Sequence, residues 1–370
     1  MKILIKDSSI LTMDDKKWFI GRGYIYVDQG RIVAVGEDEP QPEFEFADYI
    51  IDDRFTVVLP GFTVGLGNII DYFFRFTEKP VDAKMVSETL SKSDLNALIE
   101  VTLASLTASG ATSIATLLNS FDLRVVSAIV SAASSSWIRT RVVLLDSGID
   151  LNTLESDIRS ALKSSRDPEA VTKNIVSFGL FIRSESTARM LSSITDFAIS
   201  IYIDSRAQLK PYEISQDLES RNVVAVDPVD THTKCIFSEV ELWRDGCGIS
   251  PYNPTLLNPR KLLREVYRAT NSAEGSITIL SSLNPINHNL GSGFVRENAV
   301  ADVITIDFSE PPYGPIPMSR RAVANEIVNS NFLVKTAIVG GEVVLDGGVL
   351  LTVGRESVRR VQNILKDFTH

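Results

Sequence analysis

The stretch Val57-Val58-Leu59-Pro60-Gly61-Phe62-Thr63-Val64-Gly65-Leu66-Gly67-Asn68 carries most of the information about the fold of this chain. Three apolar residues followed by a Pro-Gly pair read as a strand and a turn, and the apolar residues after them read as a second strand. From there to about residue 290, strand-like and helix-like segments alternate, the pattern of βα units around a parallel sheet. The clearest unit runs from Ser93 to Leu118. Ser93 is the expected N-cap, and Leu95, Leu98, Ile99, Thr102, Leu103 and Leu106 share one helical stripe. Gly110 sits where a left-handed C-cap belongs, and Ala111 to Leu117 reads as a buried strand. Further strands are expected at Arg141 to Leu145, Ile175 to Ile182, Ala198 to Ile203, Val223 to Val226 and Val240 to Trp243, with a short seventh near Cys235-Ile236-Phe237. Helices are expected near 122–135, 152–164, 186–197 and 258–270.

The two ends of the chain read differently. Tyr24 to Val27 and Arg31 to Val35 flank Asp28-Gln29-Gly30, a hairpin turn with glycine where a positive φ is wanted. After about residue 295 short strands return, at Ala301 to Asp307 and Lys335 to Val344. Val358, Val361, Ile364, Leu365 and Phe368 share one face of a final helix. The fold class expected is α/β: a (β/α)8 TIM-like barrel over 61–294, a small composite β-sandwich from 1–60 and 295–355, and a docked helix over 356–370.

Composition narrows the partners. With 370 residues, 44% hydrophobic and 23% charged, the chain is an ordinary globular one, long enough for a large core. A net charge of −10 without a basic cluster argues against nucleic acid or an anionic membrane surface as partner. The N-terminus is a strand pattern broken by charge rather than a signal peptide, and no apolar run approaches the roughly 20 residues of a membrane span. Cys235 and Cys247 are too few for a disulfide framework, so a reducing cytoplasm is the default location. A homo-oligomer is compatible with all of this.

The order and spacing of these motifs resemble the amidohydrolase superfamily, in outline its cytosine deaminase-like and chlorohydrolase-like branch. The Pro60-Gly61-Phe62 entry, the hairpin ending at Gly36, the step from Gly110 into Ala111 to Leu117, and the Ala301 to Asp307 strand each match. The resemblance implies hydrolysis of cyclic amides or amino-heterocycles with zinc or another divalent metal. Its His-x-His pair would fall at Leu66 and Asn68, its strand-five histidine at Tyr202, and its strand-six histidine at Val226 or Asp227. Leucine and valine have no donor atom, and an Asn amide is a poor zinc ligand. The whole chain holds three histidines, His232, His288 and His370, fewer than the resemblance requires. Only the strand-eight aspartate has a counterpart, Asp245. The expectation is therefore an amidohydrolase-like protein without a metal cofactor, its metal-dependent hydrolysis lost, keeping a ligand-binding or scaffold role.

Functional groups of such a barrel sit at the C-terminal ends of its strands. Asn68, Arg183, Tyr202, Asp204, Arg206 and Asp227 are the candidates there for a small polar ligand, and Asp245 with His232 for acid–base work. The bland alternative is that the aspartates cap the helices that follow. Two other functions stay open: an active hydrolase of non-peptide C–N bonds using Asp245, and a structural oligomer subunit whose mouth is plugged by Phe73, Phe74 and Phe76.

Overall fold

The computed structural model describes residues 1–74, 86, 88–184, 187, 199–207, 223–228, 234–288 and 292–368. In chain order the strands are β1 (Ile3–Leu11), β2 (Phe19–Asp28), β3 (Arg31–Glu37), β4 (Tyr49–Asp52) and β5 (Thr56–Pro60). Then come β6 (Phe62–Gly65), β7 (Ala111–Leu118), β8 (Arg139–Leu145), β9 (Val176–Ile182), β10 (Ser200–Asp204), β11 (Val223–Val226), β12 (Cys235–Phe237) and β13 (Gly248–Ile249). Last are β14 (Val303–Asp307), β15 (Leu333–Val339), β16 (Glu342–Asp346) and β17 (Val349–Leu350).

Strands β6 to β13 form one eight-stranded sheet in sequential order. The pairings from β8 through β13 are parallel. This is the topology of a (β/α)8 barrel, as the alternation of segments implies. The other nine strands form a mixed sheet built from both termini, in the order β17-β16-β15-β14-β5-β1-β2-β3 with β4 also on β1. The β2–β3 turn has Gln29 at φ +51 and Gly30 at φ +79, the conformation expected from the glycine. Its core gathers Ile3, Ile5, Ile25, Ile32, Val58, Val303 and Ile338, from strands of both ends.

The chain divides into two compact units. One comprises Met1–Thr63, Ser105–Ser113 and Asn258–Thr352; the other comprises Val64–Ala104, Ile114–Leu257 and Val353–His370. Within the second, the terminal helix Arg355–Phe368 lies against the helix Lys92–Thr107. Arg360 Nε meets Asp94 Oδ1 at 2.6 Å, and Ser357 Oγ donates to Glu100 Oε2 at 3.0 Å. Val361 and Ile364 are its buried residues. The helix Lys92–Thr107 begins two residues earlier than expected, so Ser91 rather than Ser93 caps it, its Oγ accepting from Asp94 N at 3.1 Å.

Two expectations about the barrel are corrected. Val240–Leu242 is a 3-10 turn, not the eighth strand; that strand is the two-residue Gly248–Ile249. The cysteines are not free thiols: Cys235 and Cys247 are bonded, with Cα atoms 4.9 Å apart, because β12 and β13 lie side by side. A reducing location therefore does not follow from their number. The helix expected over 186–197 lies outside the described residues apart from Thr187. No helix of the described residues is long and apolar enough to cross a membrane.

The glycine of the Pro-Gly-Phe entry has a steric cause. A Cβ on Gly61 would overlap the side chain of Thr112, a buried and β-branched neighbour with little room to turn. Gly61→Ala is expected to destabilise the protein by about 1–3 kcal/mol, the usual penalty of overpacking. Urea unfolding checks this, and a variant as stable as the parent would refute the steric account.

Candidate functional site

The C-terminal ends of the barrel strands surround a cavity of about 270 Å³, all of it within the second unit. Asn68, Arg183, Asp204 and Arg206 line it together with Leu66, Asp71, Asn119, Phe181 and Tyr252. Four of the expected ligand candidates are thus brought together, and the two-residue periodicity of the strands explains the pattern. Leu145, Phe181 and Asp204 are the last inward residues of β8, β9 and β10.

Tyr202 lies one inward position deeper than Asp204. It is fully buried, and its hydroxyl accepts from Arg141 Nη1 at 3.1 Å. Arg141 Nε in turn donates to Ser177 Oγ at 3.1 Å. Tyr202 therefore fills the barrel interior and does not line the cavity, a correction to its expected place at the mouth. The cause is that β10 runs on to Asp204, which takes the rim position.

Asn68 caps the short helix Ile69–Phe73: its Oδ1 accepts from Ile70 N at 2.9 Å. Asp146 accepts from the backbone N–H of Arg183 at 2.9 Å and of Ser184 at 3.0 Å, tying the end of β8 to that of β9. For Asn68 the capping reading describes what the side chain does, whereas Asp146 bridges two strand ends and does not cap the turn that follows its own strand.

Asp204, Arg206 and Asp227 form a connected group. Arg206 Nε lies 3.3 Å from Asp204 Oδ1, and its Nη2 lies 3.2 Å from Asp227 Oδ2. Asp227 follows β11 directly, at φ +49, a left-handed conformation that aspartate tolerates better than most residues. Its carboxylate is 3% exposed and takes two further hydrogen bonds, from Ser238 N at 2.7 Å and Ser238 Oγ at 2.6 Å. Burial alone would lower the pKa of Arg206, but the charges of Asp227 and Asp204 outweigh it and raise it, so the guanidinium stays charged.

Tyr252, three residues after the end of the eighth strand at Ile249, was missed by sequence reasoning because that strand was expected elsewhere. Its ring meets Phe181 edge-on at 6.0 Å and stands 5.9 Å from the Arg206 guanidinium. Burial first, then the charges of Asp227 and Asp204, push the phenol pKa far above its ordinary value, so the hydroxyl remains a proton donor.

The remaining expectations fall elsewhere. Asp245 sits in an exposed turn before β13, not at its C-terminal end, and does not border the cavity. His232 lies outside the described residues, so no pairing with Asp245 is described. Phe73 and Phe74 are buried against each other at 5.2 Å and do not line the cavity, while Phe76 lies outside the described residues. The plug expected of a purely structural subunit is thus not formed by Phe73 or Phe74.

No protein-family profile matches the chain, and no curated protein does. Solved structures match over nearly its whole length. Atrazine chlorohydrolase from Arthrobacter aurescens TC1 complexed with zinc is similar at a TM-score of 0.71 and 14% identity, over 98% of this chain and 99% of that one. An amidohydrolase from an environmental sample of the Sargasso Sea is similar at a TM-score of 0.73 and 12% identity, over 100% of both chains. Adenosine deaminase from Xanthomonas campestris with bound zinc is similar at a TM-score of 0.68 and 11% identity, over 99% of this chain and 98% of that one.

These likenesses correct the expectation that no cofactor accompanies the fold, because two of the three structures hold zinc. They also lend nothing to the reading that hydrolysis has been lost, since all three are named as enzymes. Among the described residues of this chain, no three His, Cys, Asp or Glu side chains come together as a metal-binding group. Leu66 offers no donor atom, and the Asn68 oxygen is engaged by Ile70 N. The described residues do not fit a zinc ion, and no reaction step is assigned to one. What the likenesses establish is the architecture: this chain has the barrel and terminal sheet of the amidohydrolase structures.

Proposed function

We propose that this protein hydrolyses a non-peptide C–N bond of a small cyclic amide or amino-heterocycle bound at the barrel mouth. The observation that carries it is the pair Asp204, at the end of β10, and Asp227, just after the adjacent β11, held by one arginine beside a cavity of about 270 Å³. That size is slightly below the roughly 300 Å³ at which ligand pockets commonly begin, so the substrate is small. The hydrolases and deaminase of like fold support the reaction class.

Asp204 borders the cavity and is placed to take a proton from an attacking water. The oxygen of that water bonds to the ring carbon, the C–N bond breaks, and the proton passes to the leaving nitrogen. Tyr252, kept protonated, donates to the oxygen or ring nitrogen on which charge develops. Arg206 fixes both carboxylates. Asp245 has no part in this reading, since it precedes its strand.

The test is release of ammonia or ring opening across a panel of cyclic amides and amino-heterocycles, for the protein as purified and with zinc added. Turnover is expected on at least one, with kcat/KM falling by about 10²-fold or more in Asp204→Asn. No turnover on the panel in either condition, or full activity in Asp204→Asn, would overturn the proposal.

A further inference from the structure

Two groups at the mouth have more bonding capacity than the described protein uses. Arg206 is matched by Asp204 and Asp227, with Glu239 at 4.0 Å. Arg183, the other arginine bordering the cavity, has no carboxylate partner among the described residues; its polar contact is Ser147 Oγ at 3.5 Å. The Tyr252 hydroxyl is shut off from solvent and has no hydrogen-bond partner among them. A buried donor left unsatisfied is costly, so an acceptor is expected to meet it when the site is filled.

The two groups are close enough to feel each other. The charge of Arg183 acts on the Tyr252 hydroxyl, opposing the effect of Asp204 and Asp227. Phe181 stands edge-on to Tyr252, and the two rings give the cavity an aromatic wall. A guanidinium presents a planar fork of donors that a carboxylate matches with two parallel bonds. Asp204 and Asp227 would repel the same anion from the Arg206 end, which fixes the ligand's direction.

We propose that the site takes a small planar ring bearing a carboxylate, its carboxylate on the free fork of Arg183 and a ring or carbonyl acceptor facing the Tyr252 hydroxyl. This deepens the proposed function by naming the charge and shape of the substrate, and it rests on the mouth being the ligand site. Ring-matched pairs that carry no C–N bond to hydrolyse outside the ring serve as probes: nicotinate against 3-acetylpyridine, and benzoate against acetophenone.

Calorimetric titration of the full-length protein is expected to show each acid binding about tenfold or more tightly than its neutral partner. Arg183→Met should bring the acid down to the level of the ketone, and Arg183→Lys should restore part of the difference. Tyr252→Phe should weaken the pyridine pair more than the benzene pair, whose rings lack a nitrogen acceptor. Equal binding of acid and ketone, an acid preference that survives Arg183→Met, or no binding by either pair would overturn the proposal. Acid binding by the probes together with no turnover on the panel of cyclic amides and amino-heterocycles would overturn the proposed reaction and leave this inference standing. Turnover of neutral rings without acid preference would do the reverse.

Discussion

Replacing Asp227 by alanine is expected to lower the unfolding free energy by about 3 kcal/mol and to abolish ligand binding at the mouth. The carboxylate accepts two hydrogen bonds from Ser238, at 2.7 and 2.6 Å, in a place where it is 3% exposed. Hydrogen bonds to a charged group contribute roughly 1.5–3 kcal/mol each, and neighbouring ones do not add fully. The ion pair with Arg206 adds less, because that guanidinium is about half exposed and water screens it. Alanine also tolerates the left-handed backbone at φ +49 less well, by roughly 1 kcal/mol. Asn keeps the backbone preference and one acceptor, so Asp227→Asn should lose about half as much. Beyond stability, Arg206 would lose the buried partner that orients it beside Asp204. Urea unfolding and titration with nicotinate measure the two effects. An alanine variant within about 0.5 kcal/mol of the parent, the range of ordinary surface changes, would show that Asp227 does not anchor this rim.

Much of the barrel was legible because its strands are continuous apolar runs. Val223–Val226 is found where the sequence places it, and β8, β9 and β10 shift by one or two residues. The eighth strand was not legible. Two residues, Gly248 and Ile249, carry no periodicity, whereas Val240-Glu241-Leu242-Trp243 alternates as a strand should and forms a turn instead. That one displacement put Asp245 at the rim and hid Tyr252. The error at Tyr202 has a different source. A period of two leaves Tyr202 and Asp204 on the same face, so pattern alone does not say which is the last inward residue. Where β10 ends decides it, and strand ends are set by pairing with neighbours rather than by local sequence. Arg206 was legible as a rim residue, but its link to Asp227 was not, since the two belong to different βα units. The disulfide was illegible for the same reason: a spacing of twelve residues says nothing until two short strands are laid side by side.

Breaking the Cys235–Cys247 bond is expected to lower stability by about 3 kcal/mol, the chain-entropy value for a loop of this length. The bond closes a loop across twelve residues, from the start of β12 to the residue before β13. Those strands are held to the sheet by two residue pairs each, at Ala225–Cys235 and Val226–Ile236, then Ile236–Gly248 and Phe237–Ile249. So short a ladder gives little cooperativity of its own, and the covalent link stands in for the missing length. Trp243 closes the same loop from within, its Nε1 donating to Cys247 O at 2.8 Å. The loop also carries Ser238, both of whose donors hold Asp227, and Glu239, which faces Arg206. Reduction should therefore reach the mouth as well as the fold: Cys235→Ser with Cys247→Ser should weaken nicotinate binding as it weakens the barrel edge. The intact protein, denatured without reductant, should show no free thiol, and its mass should rise by two hydrogens on reduction. Two titratable thiols in the untreated protein, or urea stability unchanged by reduction, would remove the staple from this account. Because both sulfurs are buried, reductant gains access only as the edge opens, so the rate of reduction in the native state reports how often β12 and β13 part from the barrel.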